Sequence, residues 1–294
     1  MQKLLLSFLI TLTTFNVFGT ESIKSTNKES IPHISSLESQ KESVVCIHAF
    51  LRSYTSLKPI GRVMDKENYE VFLWNYETRK FTLEGHADNL VKLLKKIAQL
   101  KPGVPINFVT HSIGGVILRV ALSRDDCPEE AKKGRAVLMA PPNAGSELAR
   151  RYKCVGIVQF VFGGKLGRQL LTYEPEQMLS IAQIPDSVDV LVISGRKKSR
   201  FIPFKMKDEN DGKVRIKETL LNTKYTHAVI NVNHTYIITD KDSLSMMKNF
   251  ITENKVVNTN PNQSRNKTNK IHIIHCVASK PGLLIGFPQL YKKP

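Results

Sequence analysis

Between Val44 and Ile251, short apolar runs alternate with stretches whose apolar residues recur every three or four positions. Few folds accommodate that alternation. Val44–Ile47 and Tyr69–Trp74 are short and rich in β-branched or aromatic residues, the pattern of buried strands. Thr82–Leu100 instead sets Leu83, Ala87, Leu90, Val91, Leu94, Ile97 and Ala98 on one helical face, and Lys101-Pro102-Gly103 ends it. The same reading places strands at Ile106–Thr110, Ala136–Met139, Val188–Ile193 and Ala228–Val232. Helices are expected near Ile113–Ser123 and Asp242–Ile251. Strands separated by helices imply an α/β fold with a mostly parallel sheet and helices on both faces. Residues 148–185, which mix Val155–Phe162 with Gly163-Gly164, are expected to form a small cap-like insertion over the end of the sheet.

The segments outside this region read differently. Lys3, an apolar run from Leu4 to Phe15 and the exit Val17-Phe18-Gly19 have the order of a secretory signal, expected over 1–19, with an uncleaved anchor as the alternative. The expected location is therefore periplasmic or secreted, or membrane-associated if the N-terminus stays in place. Residues 20–42 read as a polar leader, 43–253 as the folded domain and 254–294 as a basic, disordered tail. The 43 Lys and Arg residues exceed the 26 Asp and Glu residues, a formal charge of +17 that favours anionic surroundings. A peripheral contact with anionic membrane fits that charge, whereas no helix-turn-helix, RNA-binding or zinc-finger signature supports specific nucleic-acid binding. Among the four cysteines, Cys127 and Cys154 are the nearest pair in sequence, and Cys46 reads as a small core residue. His272, His275 and Cys276 share one short stretch with no fourth ligand in view, so no metal and no cofactor is expected.

The residues that carry chemistry centre on Asn107-Phe-Val-Thr-His-Ser-Ile-Gly-Gly115. A strand runs into Thr110-His111-Ser112-Ile113-Gly114 and then directly into a helix, which is G-x-S-x-G with Thr at the first glycine. Such a turn lifts a serine oxygen above the sheet edge, and the Ile113 amide at the helix start can face a developing oxyanion. The alternative is a plain strand–helix connection in which Ser112 is only an N-cap.

Val44-Val-Cys-Ile-His-Ala-Phe-Leu-Arg-Ser53, Phe108–Gly115, Leu138-Met-Ala-Pro-Pro-Asn-Ala-Gly-Ser146, Asn210-Asp-Gly-Lys-Val214 and Val232-Asn-His-Thr235 together resemble the lipase/esterase branch of the α/β-hydrolases, in the same order along the chain. The resemblance implies a triad of Ser112, Asp211 and His234, with Ser112 as nucleophile, His234 as base and Asp211 orienting the imidazole. It also implies a second oxyanion donor, the Phe50 backbone N–H, in His48-Ala49-Phe50. There Ala49 replaces the usual glycine, at a cost of about 1–2 kcal/mol if that position requires positive φ. Asp208 and Asp240 are rivals for the acid. His227 is the nearest rival for the base, expected before the last strand and so at the wrong end of the sheet, and His111 is expected to shape the elbow. Pro141–Ser146 is expected either to line the site or to be a plain turn. The reading that follows is an exported serine ester hydrolase working through an acyl-enzyme, with lipid-like or other carboxylic esters as substrates and an apolar lid from Val155, Ile157, Val158, Phe160, Val161 and Phe162. The alternatives are an acyltransferase with the same triad and a weakly active or inactive binding protein at an anionic surface.

Overall fold

The computed structural model describes residues 40–198, 206, 208–253 and 272–276. The expected signal segment, most of the leader and most of the C-terminal segment lie outside the described residues. Seven strands form one sheet, ordered β2-β1-β3-β4-β5-β6-β7. They are β1 (Ser43–Ile47), β2 (Glu70–Trp74), β3 (Ile106–His111), β4 (Arg135–Met139), β5 (Asp189–Gly195), β6 (Tyr225–Ile230) and β7 (His272–Cys276). The first six pair in parallel, and β7 closes the edge antiparallel to β6, with Ala228 opposite Ile273.

Alternate residues of each strand enter two separate cores, because successive side chains point to opposite faces. Val45, Ile47, Phe108, Leu138 and Val192 meet helices α2 (Leu83–Leu100) and α3 (Ile113–Leu122). Val44, Cys46, Val109, Val137 and Ile193 meet α1 (Lys58–Lys66) and α8 (Lys241–Glu253). Burial on both sides explains why these strands read as continuous apolar runs. Within the cap region lie four short helices, α4 (Glu147–Arg151), α5 (Gly156–Val161), α6 (Lys165–Thr172) and α7 (Pro175–Ser180). The cap is tied down at Gln169, whose side chain accepts from Leu83 N–H at 2.7 Å and donates to Glu84 at 3.0 Å.

Several expectations need correction. β6 begins three residues before the expected Ala228, because its polar start hid it: His227 lies inside the strand, not ahead of it. There it is buried against Ser194 and Thr219, which satisfy its ring. β7 falls within the segment expected to be disordered, where five residues find hydrogen-bonding partners on the open edge of β6. Helix α1 has no counterpart among the expected helices, since Pro59 and Gly61 break its apolar pattern, although Pro is tolerated in a first turn. On cysteine pairing, which the sequence leaves open, Cys46, Cys127 and Cys154 are all free thiols. As expected of a core residue, Cys46 is fully buried, which pushes its thiol up to about 12. Among the described residues no helix is long and apolar enough to cross a membrane.

Candidate active site

The parallel register sets the site. Ile47 pairs with Thr110, so the loop after β1 and the turn after β3 leave the sheet at the same edge. At that turn Ser112 takes φ 54° and ψ −126°. A serine with a Cβ avoids this region unless the surroundings force it, at about 1–3 kcal/mol, and such strain is typical of functional sites. Its side chain caps no amide of α3, so the N-cap alternative does not hold. The turn is held by Ser112 N–H donating to Met139 O at 2.8 Å and by Gly115 N–H donating to Ser112 O at 2.9 Å.

The two glycines after the turn are needed for close approach. A Cβ on Gly114 would stand 2.6 Å from Ile47 O and 3.0 Å from His48 O, so α3 lies directly on the backbone of the β1 loop. A Cβ on Gly115 would stand 3.1 Å from Thr110 Oγ1 and 3.1 Å from Pro141 Cβ. The space left by Gly115 is therefore what admits Thr110 where the motif has glycine.

Downstream, Asp211 and His234 are brought together as the resemblance implies. His234 Nδ1–H donates to Asp211 Oδ2 at 2.7 Å, which leaves Nε2 as the acceptor. Asp211 Oδ1 accepts from Lys213 N–H at 2.9 Å and Val214 N–H at 2.8 Å, so the carboxylate cannot swing away. A main-chain bond, His234 N–H to Asp211 O at 2.9 Å, clamps the two loops to each other. Both residues are buried. The dyad also reaches the elbow: His111, next to Ser112, donates from Nε2 to His234 O at 3.0 Å, and the two rings lie 5.0 Å apart. Burial, with the neighbouring His234, holds the His111 imidazole well below its ordinary pKa, so it stays neutral.

The rivals have other work. Asp208 pairs with Arg215 and Lys217, and Asp240 accepts from Ser243 N–H at 3.0 Å at the start of α8. His227 Nε2 lies 2.8 Å from Ser194 Oγ in a buried set that Thr219 completes. Asp211 is committed to His234 rather than to this set.

The first loop corrects one expectation. Ala49 is not among the residues with positive φ; Leu51 is, at 54°, so the left-handed step falls two residues later. Around it, Leu51 N–H donates to Thr78 Oγ1 at 3.2 Å and Arg52 N–H to Ala49 O at 3.1 Å. Those bonds and that of Ser112 leave the Phe50 and Ile113 amides uncommitted among the described residues. Phe50 stacks on Phe162 of the cap at 5.3 Å, which joins the cap to this loop. Pro141–Ser146 acts as a brace. Asn143 Nδ2 donates to Thr219 O at 2.8 Å, and the Asn143 carbonyl accepts from Arg119, a fully buried cation of α3 that also holds Met178 O. Among the described residues no group of His, Cys, Asp and Glu is arranged to hold a metal ion.

No protein-family model matches the chain, and no curated protein matches it significantly in sequence. Solved structures do match. The mature form of the Bacillus licheniformis lipase BlEst2 superposes with a TM-score of 0.57 at 19% identity, over 70% of this chain and 90% of that one. Its propeptide form gives 0.59 at 20% identity, over 68% of this chain and 48% of that one. The metagenomic carboxyl esterase MGS0156 gives 0.51 at 18% identity, over 80% of this chain and 77% of that one.

Proposed function

The chain has an α/β-hydrolase fold, and on that fold we propose that it is a serine ester hydrolase with Ser112 as nucleophile, His234 as base and Asp211 as orienting acid. One observation carries the reading: a 2.7 Å imidazole–carboxylate pair is bonded through the His234 carbonyl to His111, the residue before a serine in a strained strand-to-helix turn. The names of the matched lipase and carboxyl esterase agree with an ester substrate.

Ser112 Oγ attacks the ester carbonyl while its proton passes to His234 Nε2. The Nδ1 hydrogen bond to Asp211 keeps Nε2 unprotonated beforehand and stabilises the imidazolium formed by the transfer. The carbonyl oxygen, now an anion, is received by the Phe50 and Ile113 N–H groups, reinforced by the positive end of α3. Collapse of the tetrahedral intermediate expels the alkoxide, which takes the proton from His234 and leaves an acyl-Ser112. Water then repeats the attack, with His234 accepting its proton and returning it to Ser112 as the acid departs. The hydroxyl and the imidazole draw into hydrogen-bond reach as the ester seats, since such contacts are loose without ligand.

Exposed Phe160 and Val155 on the cap, at 68% and 37% exposure, support lipid-like acyl esters. The N-terminal pattern supports export. The test is a fluorophosphonate probe together with short p-nitrophenyl esters. Ser112→Ala is expected to lose both labelling and turnover while the protein stays folded. Undiminished turnover by Ser112→Ala overturns the assignment. Ser194→Ala distinguishes the buried Ser194–His227 pair and is expected to keep its labelling.

A further inference from the structure

Two cations flank this site without serving the triad. Arg52 follows Phe50 by two residues in the β1 loop, and Lys213 follows Asp211 by two in the loop before β6. The main chain of Lys213 is fixed, its N–H donating to Asp211 Oδ1 at 2.9 Å and its carbonyl accepting from Ser146 Oγ at 3.5 Å. Its side chain is half-buried, yet among the described residues its ammonium makes neither an ion pair nor a hydrogen bond. The nearby Asp211 carboxylate attracts it without bonding it, because its oxygens already accept from His234 and two backbone amides. Arg52 is exposed and lies close enough to oppose the charge of Lys213; both cations also act on His111, the neighbour of Ser112. Burial, then the Arg52 guanidinium, holds the Lys213 ammonium below its usual pKa.

A poorly hydrated cation next to a second cation is destabilising unless something anionic joins them. Two other cation pairs do share a carboxylate: Arg215 and Lys217 share Asp208, and Lys95 and Arg124 share Asp126. Among the described residues neither Arg52 nor Lys213 has an ion pair; the one carboxylate acting on Lys213 is that of Asp211, which His234 already shares, and the reacting centre adjoins them. We propose that Arg52 and Lys213 form an anion-binding subsite beside Ser112, so that the preferred substrates are esters carrying a carboxylate or phosphate close to the scissile bond. This inference rests on the reading of Ser112 as nucleophile and adds the substrate class. The strongly positive whole chain would also speed the approach of such substrates.

The experiment compares matched esters with and without the charge. Mono-4-nitrophenyl glutarate against 4-nitrophenyl valerate places the anion on the acyl side. 1-Butyrylglycerol 3-phosphate against 1-butyrylglycerol places it on the alcohol side, as a lipid headgroup would. In at least one pair the anionic ester should have a kcat/KM about 10- to 100-fold higher, the scale of a charged hydrogen bond. That ratio should fall towards one in Lys213→Met and in Arg52→Gln, and should shrink with added salt. Arg52→Gln changes an exposed side chain and keeps the test open should Lys213→Met fail to fold. A ratio near one in the wild type for both pairs, or an unaltered ratio in the folded variants, overturns the subsite. If Ser112→Ala keeps its turnover, the nucleophile assignment falls and the subsite with it. If that variant is inactive while the ratios are flat, only the subsite falls.

Discussion

At the scale of single residues, the site depends on which hydrogen bonds are already committed. Asp211 gives one oxygen to His234 and the other to two amides, so its orientation is set by the turn it belongs to. Asp211→Asn keeps the shape but can hold the imidazole in the wrong tautomer. Turnover of p-nitrophenyl esters is expected to drop about 10⁴-fold with little change in thermal stability. The buried histidines set the acid limit of the fold. Burial lowers His227 and His48 from 6.5 to about 4. Below pH 6.5 the unfolded chain takes up protons that these folded imidazoles refuse until about pH 4. Their contribution is therefore complete above 6.5 and is lost progressively as the pH falls towards 4. Urea midpoints should decline between pH 7 and pH 5, and His227→Gln should flatten that decline while lowering the midpoint at pH 7, since Ser194 is left with Thr219 alone.

At the scale of elements, the proposed chemistry depends on how closely α3 approaches the β1 loop. Gly114 is the contact point, and any Cβ there strikes the carbonyls of Ile47 and His48. Gly114→Ala must push the elbow and the Phe50 loop apart, which separates the two proposed oxyanion donors. A displacement of about 1 Å costs on the order of 100-fold in rate. Gly114→Ala is expected to show a loss of that size in kcat/KM, with the fold retained by circular dichroism. Full activity in this variant would mean that the Phe50 and Ile113 amides do not act together. The elements themselves were largely legible: the apolar period of α2 and the runs of β1, β3, β4 and β5 appear close to where the residues put them. The first three residues of β6 and the whole of α1 were not legible. A buried histidine satisfied by Ser194 looks polar in sequence, and a proline in a first turn looks like a break.

At the scale of the whole molecule, the sheet closes on one side with a strand from beyond residue 253. β7 covers β6, the strand that carries His227 and leads to His234. Ending the chain after Glu253 would leave the backbone groups of β6 open along an apolar edge, a template for association. The shortened protein is expected to melt at lower temperature and to scatter more light on heating than the full chain. Equal melting would show that β7 adds nothing to the sheet.

By itself the sequence determined the alternation of strand and helix and the turn bearing Ser112, whereas the order serine, acid, histidine entered only as what the resemblance implies. The alternation and the turn are local or periodic properties, carried by neighbouring residues and by the side-chain periods of strand and helix. Only the tertiary structure chose among equivalent residues. It assigned Asp211 rather than Asp208 or Asp240 to His234, placed the left-handed backbone at Leu51 rather than Ala49, and left Lys213 beside Arg52 with no ion pair among the described residues. Each of those outcomes depends on which groups meet across the fold, and a hydrogen bond or an unpaired charge exists only once both partners have a position in space.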